Sequence, residues 1–164
     1  MKNKDRTRRR VAAGIPVAVS TVSTRDPSHN AATWMLAACG VWLVVLGLYF
    51  IFLRPPLLPE DTRFMGSSLD RVRASLPGLE GWLRRVFTVM GGFIAGAGVL
   101  TVFVAWVAMP RGLKSVSWAI ALTGVLTVAL MSAINFDLNS DFRWLLLAPP
   151  LVWLASLVLH IARR

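Results

Sequence analysis

The feature that most narrows what this chain can fold into is charge-free length. No ionisable Asp, Glu, Lys, Arg or His side chain occurs within residues 31–53, 86–109 or 115–136. At about 1.5 Å of rise per residue, a helix of twenty or more residues covers a hydrocarbon core roughly 30 Å thick. A fourth run, residues 144–159, is short alone and reaches a usable length through His160, Ile161 and Ala162. Soluble core helices rarely stay uncharged for so long. In lipid a single segment can satisfy its own backbone hydrogen bonds only as a helix. The expectation is an all-α integral membrane protein: a bundle of four transmembrane helices spanning about 32–53, 84–109, 115–136 and 143–162. A hydrophobic content of 55% and a mean hydropathy of +0.60 agree with that class.

Ahead of the first span lies a tail, residues 1–31, that holds Lys2, Lys4, Arg6, Arg8, Arg9, Arg10 and Arg25. Its Ser, Thr and Arg content predicts disorder. Much of the +10 net charge sits here, where it favours an anionic membrane surface over a nucleic acid groove, so no nucleic acid partner is expected. Residues 11–19 make a poor signal-peptide core because Gly14 and Pro16 interrupt them. "LAAC" at Leu36–Cys39 resembles a lipoprotein cleavage box, but its apolar run follows the cysteine instead of preceding it. Cys39 is the only cysteine, which rules out a disulfide within the chain.

Positive charge orients the spans. The tail, the second loop (Arg111, Lys114) and the C-terminus (Arg163, Arg164) hold eleven Lys and Arg; the first and third loops hold seven. Both termini are therefore expected in the cytoplasm of a bacterial inner (plasma) membrane, with the first and third loops outside. Trp34, Trp106 and Trp118 then fall near the inner interface, and Trp82 and Trp144 near the outer one, as amphipathic rings prefer.

The first loop is too long for a tight hairpin. Pro59, Glu60 and Asp61 read as a helix start, with proline in the first turn and acids at the positive end of the dipole. Met65, Leu69, Val72 and Leu76 continue it as one apolar stripe until Pro77-Gly78, which predicts an amphipathic helix in the outer loop. In the second span, Gly91, Gly92 and Gly96 are expected to pack helices, Gly92 and Gly96 having small-x-x-x-small spacing. Pro149 and Pro150 should kink the fourth span.

Little here can catalyse. His29 and His160 have no ligand partners at metal spacing, and no nucleophile motif or dinucleotide fingerprint occurs. No ionisable side chain lies deep within a span, the usual mark of an ion path. The expectation leans away from an enzyme, with no cofactor. Polar chemistry gathers instead on the outer loops, where one phrase is written twice. Leu58-x-x-Asp61-x-Arg63-Phe64 and Leu138-x-x-Asp141-x-Arg143-Trp144 share the frame Leu-x-x-Asp-x-Arg-aromatic. Two helix starts could converge on it, or the two hairpins could descend from a duplication. Residues two apart on a helix do not face each other, so each charge is free to reach the other loop. Asp61 is expected to pair with Arg143 and Arg63 with Asp141, with Glu60, Asp137 and Asn139 joining the cluster.

In architecture the chain resembles the small four-helix bacterial inner-membrane proteins, the DoxX-like ones among them. That resemblance is one of shape, rests on no diagnostic residue and lends no site. Three function classes follow. The favoured one is a non-catalytic membrane protein that binds a partner protein or lipid through its outer loops, with membrane lipids and a membrane-protein partner or homo-oligomer as the expected partners. The others are a subunit or enzyme of membrane redox metabolism, and an oligomeric small transporter or channel.

Overall fold

A computed structural model describes residues 27–162. All regular structure among them is helical. Four helices are long and apolar enough to cross a membrane: span 1 (Ala31–Phe52), span 2 (Leu79–Arg111), span 3 (Lys114–Asp137) and span 4 (Arg143–Ile161). No more than 33% of the most apolar stretch of any span is buried inside the molecule. Side chains such as Phe93, Leu100, Trp118, Leu126 and Leu154 point outward uncovered. Such a surface suits apolar surroundings, and four helices of this length and hydrophobicity are consistent with a multi-pass membrane protein.

Helix ends follow backbone chemistry more than charge. The helix of span 1 begins at Pro27, so residues 27–31, expected in the tail, are helical. The rest of the tail lies outside the described residues. Span 2 begins at Leu79, directly after Pro77-Gly78, and not at the edge of its uncharged run. Glu80, Arg84 and Arg85 lie within its opening turns.

The amphipathic helix expected from Pro59 to Leu76 is two short helices, Pro59–Phe64 and Leu69–Ser75. Gly66 takes a left-handed φ of 63°, and the Ser67 N–H bonds the Thr62 carbonyl, which closes the first helix as a Schellman turn. Ser68 then caps the second, its hydroxyl accepting from the Arg71 N–H at 3.3 Å. Periodicity alone could not show this stop, because the apolar stripe runs straight through it.

Span 1 packs on span 2 along most of its length and on span 4 on another side, and span 4 packs on span 3. The core is narrow: Leu36, Cys39 and Leu43 of span 1, Ala105 and Met109 of span 2, Ile120 and Val128 of span 3, and Trp153 of span 4. Two buried polar side chains here are tied to backbone. The Trp153 indole donates to the Ile120 carbonyl at 3.0 Å, and the Ser156 hydroxyl to the Ala32 carbonyl at 2.8 Å. Gly124 leaves room for that indole; a Cβ there would collide with the Trp153 ring. Spans 2 and 3 each contain one π turn, Val104–Ala108 and Val125–Ala129.

Spans 1 and 2 touch through glycine, though not through the expected pair. An added Cβ at Gly92 or Gly96 meets nothing within 4 Å, and both residues face outward. The close approach is made by Gly91 and Gly98 against Gly47 and Gly40. A Cβ on Gly91 would lie 2.6 Å from the Gly47 carbonyl oxygen, and one on Gly98 2.6 Å from that of Gly40. The spacing that matters is seven on both helices, the repeat of a left-handed crossing, not the four between Gly92 and Gly96.

Candidate functional site

The end of the bundle that carries the first and third loops also carries most of the charged side chains outside the tail. Its anchor is the helix Pro59–Phe64. Pro59 presets the first turn, and the Asp61 carboxylate reaches back to accept from the Leu58 N–H at 2.8 Å. Glu60, next to it, turns inward and is only 7% exposed. Its carboxylate accepts from the hydroxyl of Ser140, itself 3% exposed, at 3.4 Å. That bond joins the first loop to the third across eighty residues.

Ser140 is held for this role by the end of span 3. Asn139 takes a left-handed φ of 53°, its N–H bonds the Phe136 carbonyl, and the Ser140 N–H bonds the Asn135 carbonyl. This is a second Schellman turn, with asparagine in the place glycine usually takes. Asn139 therefore ends a helix. The Ser140 hydroxyl oxygen accepts from the Phe142 N–H at 3.3 Å and its carbonyl from the Arg143 N–H, which starts the turn into span 4.

Arg54, just past the end of span 1, completes the cluster. Its guanidinium carbon lies 3.6 Å from the centre of the Phe87 ring and 5.1 Å from that of Phe50. One of its nitrogens is 3.8 Å from the Asp61 carboxylate, and another donates to the Pro55 carbonyl at 3.3 Å. The side chain is 12% exposed. Burial lowers its pKa, while Asp61, Tyr49 and Glu60 push it back up. A guanidinium between two rings and beside two carboxylates stays charged and well satisfied.

Of the two loop-to-loop pairs expected from the repeated phrase, one forms. Arg63 and Asp141 approach to 3.5 Å at the surface, with side chains 56% and 65% exposed. Asp61 does not meet Arg143. It is already engaged by the Leu58 N–H and by Arg54, both nearer along the chain. Arg143 is half-buried and has no ion pair among the described residues, and Asp137 is exposed outside the cluster. The two phrases also differ in backbone: Asp61 lies inside a helix, whereas Asp141 lies in the turn before one.

Two members escaped the sequence reading. Arg54 had a usable signal, an aromatic four residues earlier at Phe50, but nothing local points to Phe87. Nothing local in the sequence around Ser140 points to Glu60.

Beyond the clasp, this end leaves apolar side chains uncovered. Phe64, Met65, Leu76 and Trp82 are exposed, and exposed Arg71, Arg84 and Arg85 lie among them along the chain. Arg73 is tied to Glu80 at 2.8 Å, and Arg85 to the Gly81 carbonyl. Among the described residues no group of three His, Cys, Asp or Glu side chains could hold a metal ion. No family, curated protein or solved structure matches the chain.

Proposed function

We propose that the protein is a small, non-catalytic multi-pass membrane protein that binds a partner protein or lipid through the end bearing its first and third loops. The observation that carries this reading is the exposed stretch formed by the first loop and the opening turns of span 2, where exposed Phe64, Met65, Leu76 and Trp82 are interspersed along the chain with exposed Arg71, Arg84 and Arg85. Apolar side chains at this end of the bundle that nothing among the described residues covers, interspersed with cations, suit an amphipathic partner or a layer of anionic headgroups. The clasp of Glu60 on Ser140, with Arg54 behind it, supports the reading because it fixes the loop that presents this surface. The excess of positive charge on the tail and second loop supports an outward-facing first loop in a bacterial inner membrane, with both termini in the cytoplasm.

The test is a mild-detergent pull-down from native membranes, with mass spectrometry of proteins and lipids together. The full chain should retain a specific partner or anionic lipid, and the triple variant Arg71→Glu, Arg84→Glu, Arg85→Glu should lose it. Equal recovery by both would remove the loop surface as the binding site. Reporter fusions after Arg71 should read as exported and those after Gly112 as cytoplasmic; the reverse pattern would place the surface on the other side of the membrane.

A further inference from the structure

Spans 1 and 2 run antiparallel, and their contacts fix how far each rises at the loop-bearing end. Gly91 lies against Gly47 and Ile51, and the Arg54 guanidinium lies over the Phe87 ring. The two uncharged runs therefore stop at one level, at Leu53 on span 1 and at Val86 on span 2. In a bilayer that level is the edge of the hydrocarbon. Span 2 continues beyond it as helix through residues 79–85, about 10 Å of further rise. Headgroups occupy about 5–7 Å on each side of a bilayer, so this extension crosses the headgroup layer.

Arg85 stands at the base of the extension and reaches outward along it. One guanidinium nitrogen donates to the Gly81 carbonyl at 2.9 Å, a turn further from the hydrocarbon, which is the direction in which arginine snorkels. The guanidinium is thereby held at the level of Trp82, its neighbour three residues earlier on the same face. Its other N–H groups have no acceptor among the described residues, and the Trp82 ring is 60% exposed. On the hydrocarbon side, Val89, Phe93 and Leu100 continue the face at steps of four, four and seven, and all three are exposed. Gly91 and Gly98, which meet span 1, lie on the opposite side of the helix. No Asp or Glu occurs from residue 81 to residue 136. Glu80 is held by Arg73 at 2.8 Å, and Asp70 belongs to the second loop helix. The face thus presents an unpaired cation and an indole at headgroup depth, with uncovered apolar side chains directly below. A phospholipid has the same order, phosphate first and then acyl chains. A soluble anion matches only the upper part, and a zwitterionic lipid brings a cation that Arg85 repels.

We propose that this face of span 2 seats an anionic phospholipid, with its phosphate on the Arg85 guanidinium beside Trp82 and an acyl chain along Val89, Phe93 and Leu100. The inference rests on the reading that this end of the bundle binds a partner or lipid, and names lipid as the occupant of the part that span 2 contributes.

The full-length protein, stripped of lipid in a neutral detergent, can be titrated with dioleoylphosphatidylglycerol, with thermal unfolding as the readout. Dioleoylphosphatidylcholine supplies the same chains without net charge, and glycerol phosphate supplies the phosphate without chains. The anionic lipid should raise the unfolding temperature in a saturable way and at lower concentration than the zwitterionic one, and glycerol phosphate should not raise it. Arg85→Gln should weaken the anionic lipid about tenfold or more, the value of a hydrogen bond to a charged group. Arg84→Gln removes the same charge about 100° round the helix, and should cost no more than about fivefold, the general attraction of one arginine to an anionic surface. Trp82→Phe keeps a ring, deletes the donor and should weaken binding about two- to twelvefold; it decides the matter if Arg85→Gln does not fold. Equal effects of the two lipids, an equal effect of glycerol phosphate, or equal losses in Arg84→Gln and Arg85→Gln overturn the proposal. If the lipid does not bind while the pull-down still recovers a protein that the triple variant loses, this inference falls and the loop reading stands. If the pull-down recovers nothing either, both fall.

Discussion

The two sides of span 1 solve the same packing problem in opposite ways. Towards span 2 the helix gives up its side chains, and Gly40 and Gly47 lie against Gly98 and Gly91 with backbones in contact. Towards span 4 it keeps Cys39 and Trp42, meets a helix broken at Leu147, and leaves a cleft. Without a hydrophobic drive between helices in lipid, close backbone approach is what makes a contact firm. The seam with span 2 is thus the fixed part of the bundle. The contact with span 4 is held by a few polar bonds, Ser156 to Ala32 and Cys39 to Pro149, and has room to admit something else.

The largest effect expected from breaking this contrast is at the seam. Gly91→Leu would drive a side chain into the Gly47 carbonyl and the Ile51 side chain, and overpacking of this kind costs about 1–3 kcal/mol or more. Gly47→Leu should do as much damage, since even a Cβ would lie 2.5 Å from the Ala95 nitrogen. Gly92→Leu and Gly96→Leu, one and five positions away from Gly91, should stay within about 0.5 kcal/mol of the parent. Thermal unfolding of the four variants in detergent checks this directly. If Gly92→Leu or Gly96→Leu is the damaging change, span 2 faces its neighbour differently.

Next in size is Arg54, which stands where span 1 leaves the bundle and enters the loop clasp. Arg54→Ala removes the cation between Phe50 and Phe87 and leaves Asp61 without its ion partner beside the buried Glu60. A loss of about 1–3 kcal/mol is expected from stranding charge that is partly shielded from water. Arg54→Lys keeps the charge but loses the planar stacking, and should recover only part of the loss. Should Arg54→Ala unfold at the parent's temperature, the loop is held by Glu60 and Ser140 alone.

This contrast also explains what was legible in the sequence. The four spans can be read directly, because charge-free length is a property of single residues counted along the chain. Gly91 was found and its partners were not, because a seven-residue match between two helices has no meaning until the helices are paired. Gly92 and Gly96 satisfy a local spacing rule that their side of the helix never uses. The break at Gly66–Ser68 lay hidden beneath an unbroken apolar stripe. The π turns at Val104 and Val125 carry no side-chain signature at all. In the loop cluster Glu60, Arg63 and Asp141 could be named from one repeated phrase, whereas Arg54 and Ser140 owe their place to Phe87 and Glu60, far away in sequence.

The smallest effect belongs to the pair that does join the two phrases. Arg63 and Asp141 are 3.5 Å apart and more than half exposed, and exposed ion pairs contribute about 0–1 kcal/mol. Neither single change can isolate that, because Arg63→Asp also places a third acid next to Glu60 and Asp61. A double-mutant cycle with Asp141→Arg removes such effects. Coupling between Arg63 and Asp141 should come out small but positive, about 0.3–0.8 kcal/mol at low salt, and shrink as salt screens the surface. The same cycle on Asp61 and Arg143 should give no coupling, because Asp61 is committed to the Leu58 N–H and to Arg54. If the two cycles return equal values, the loops meet in a register other than the one seen here. If only the second couples, Asp61 has left its own helix to cross to the third loop, and the clasp on this end of the bundle would then be built from the opposite diagonal.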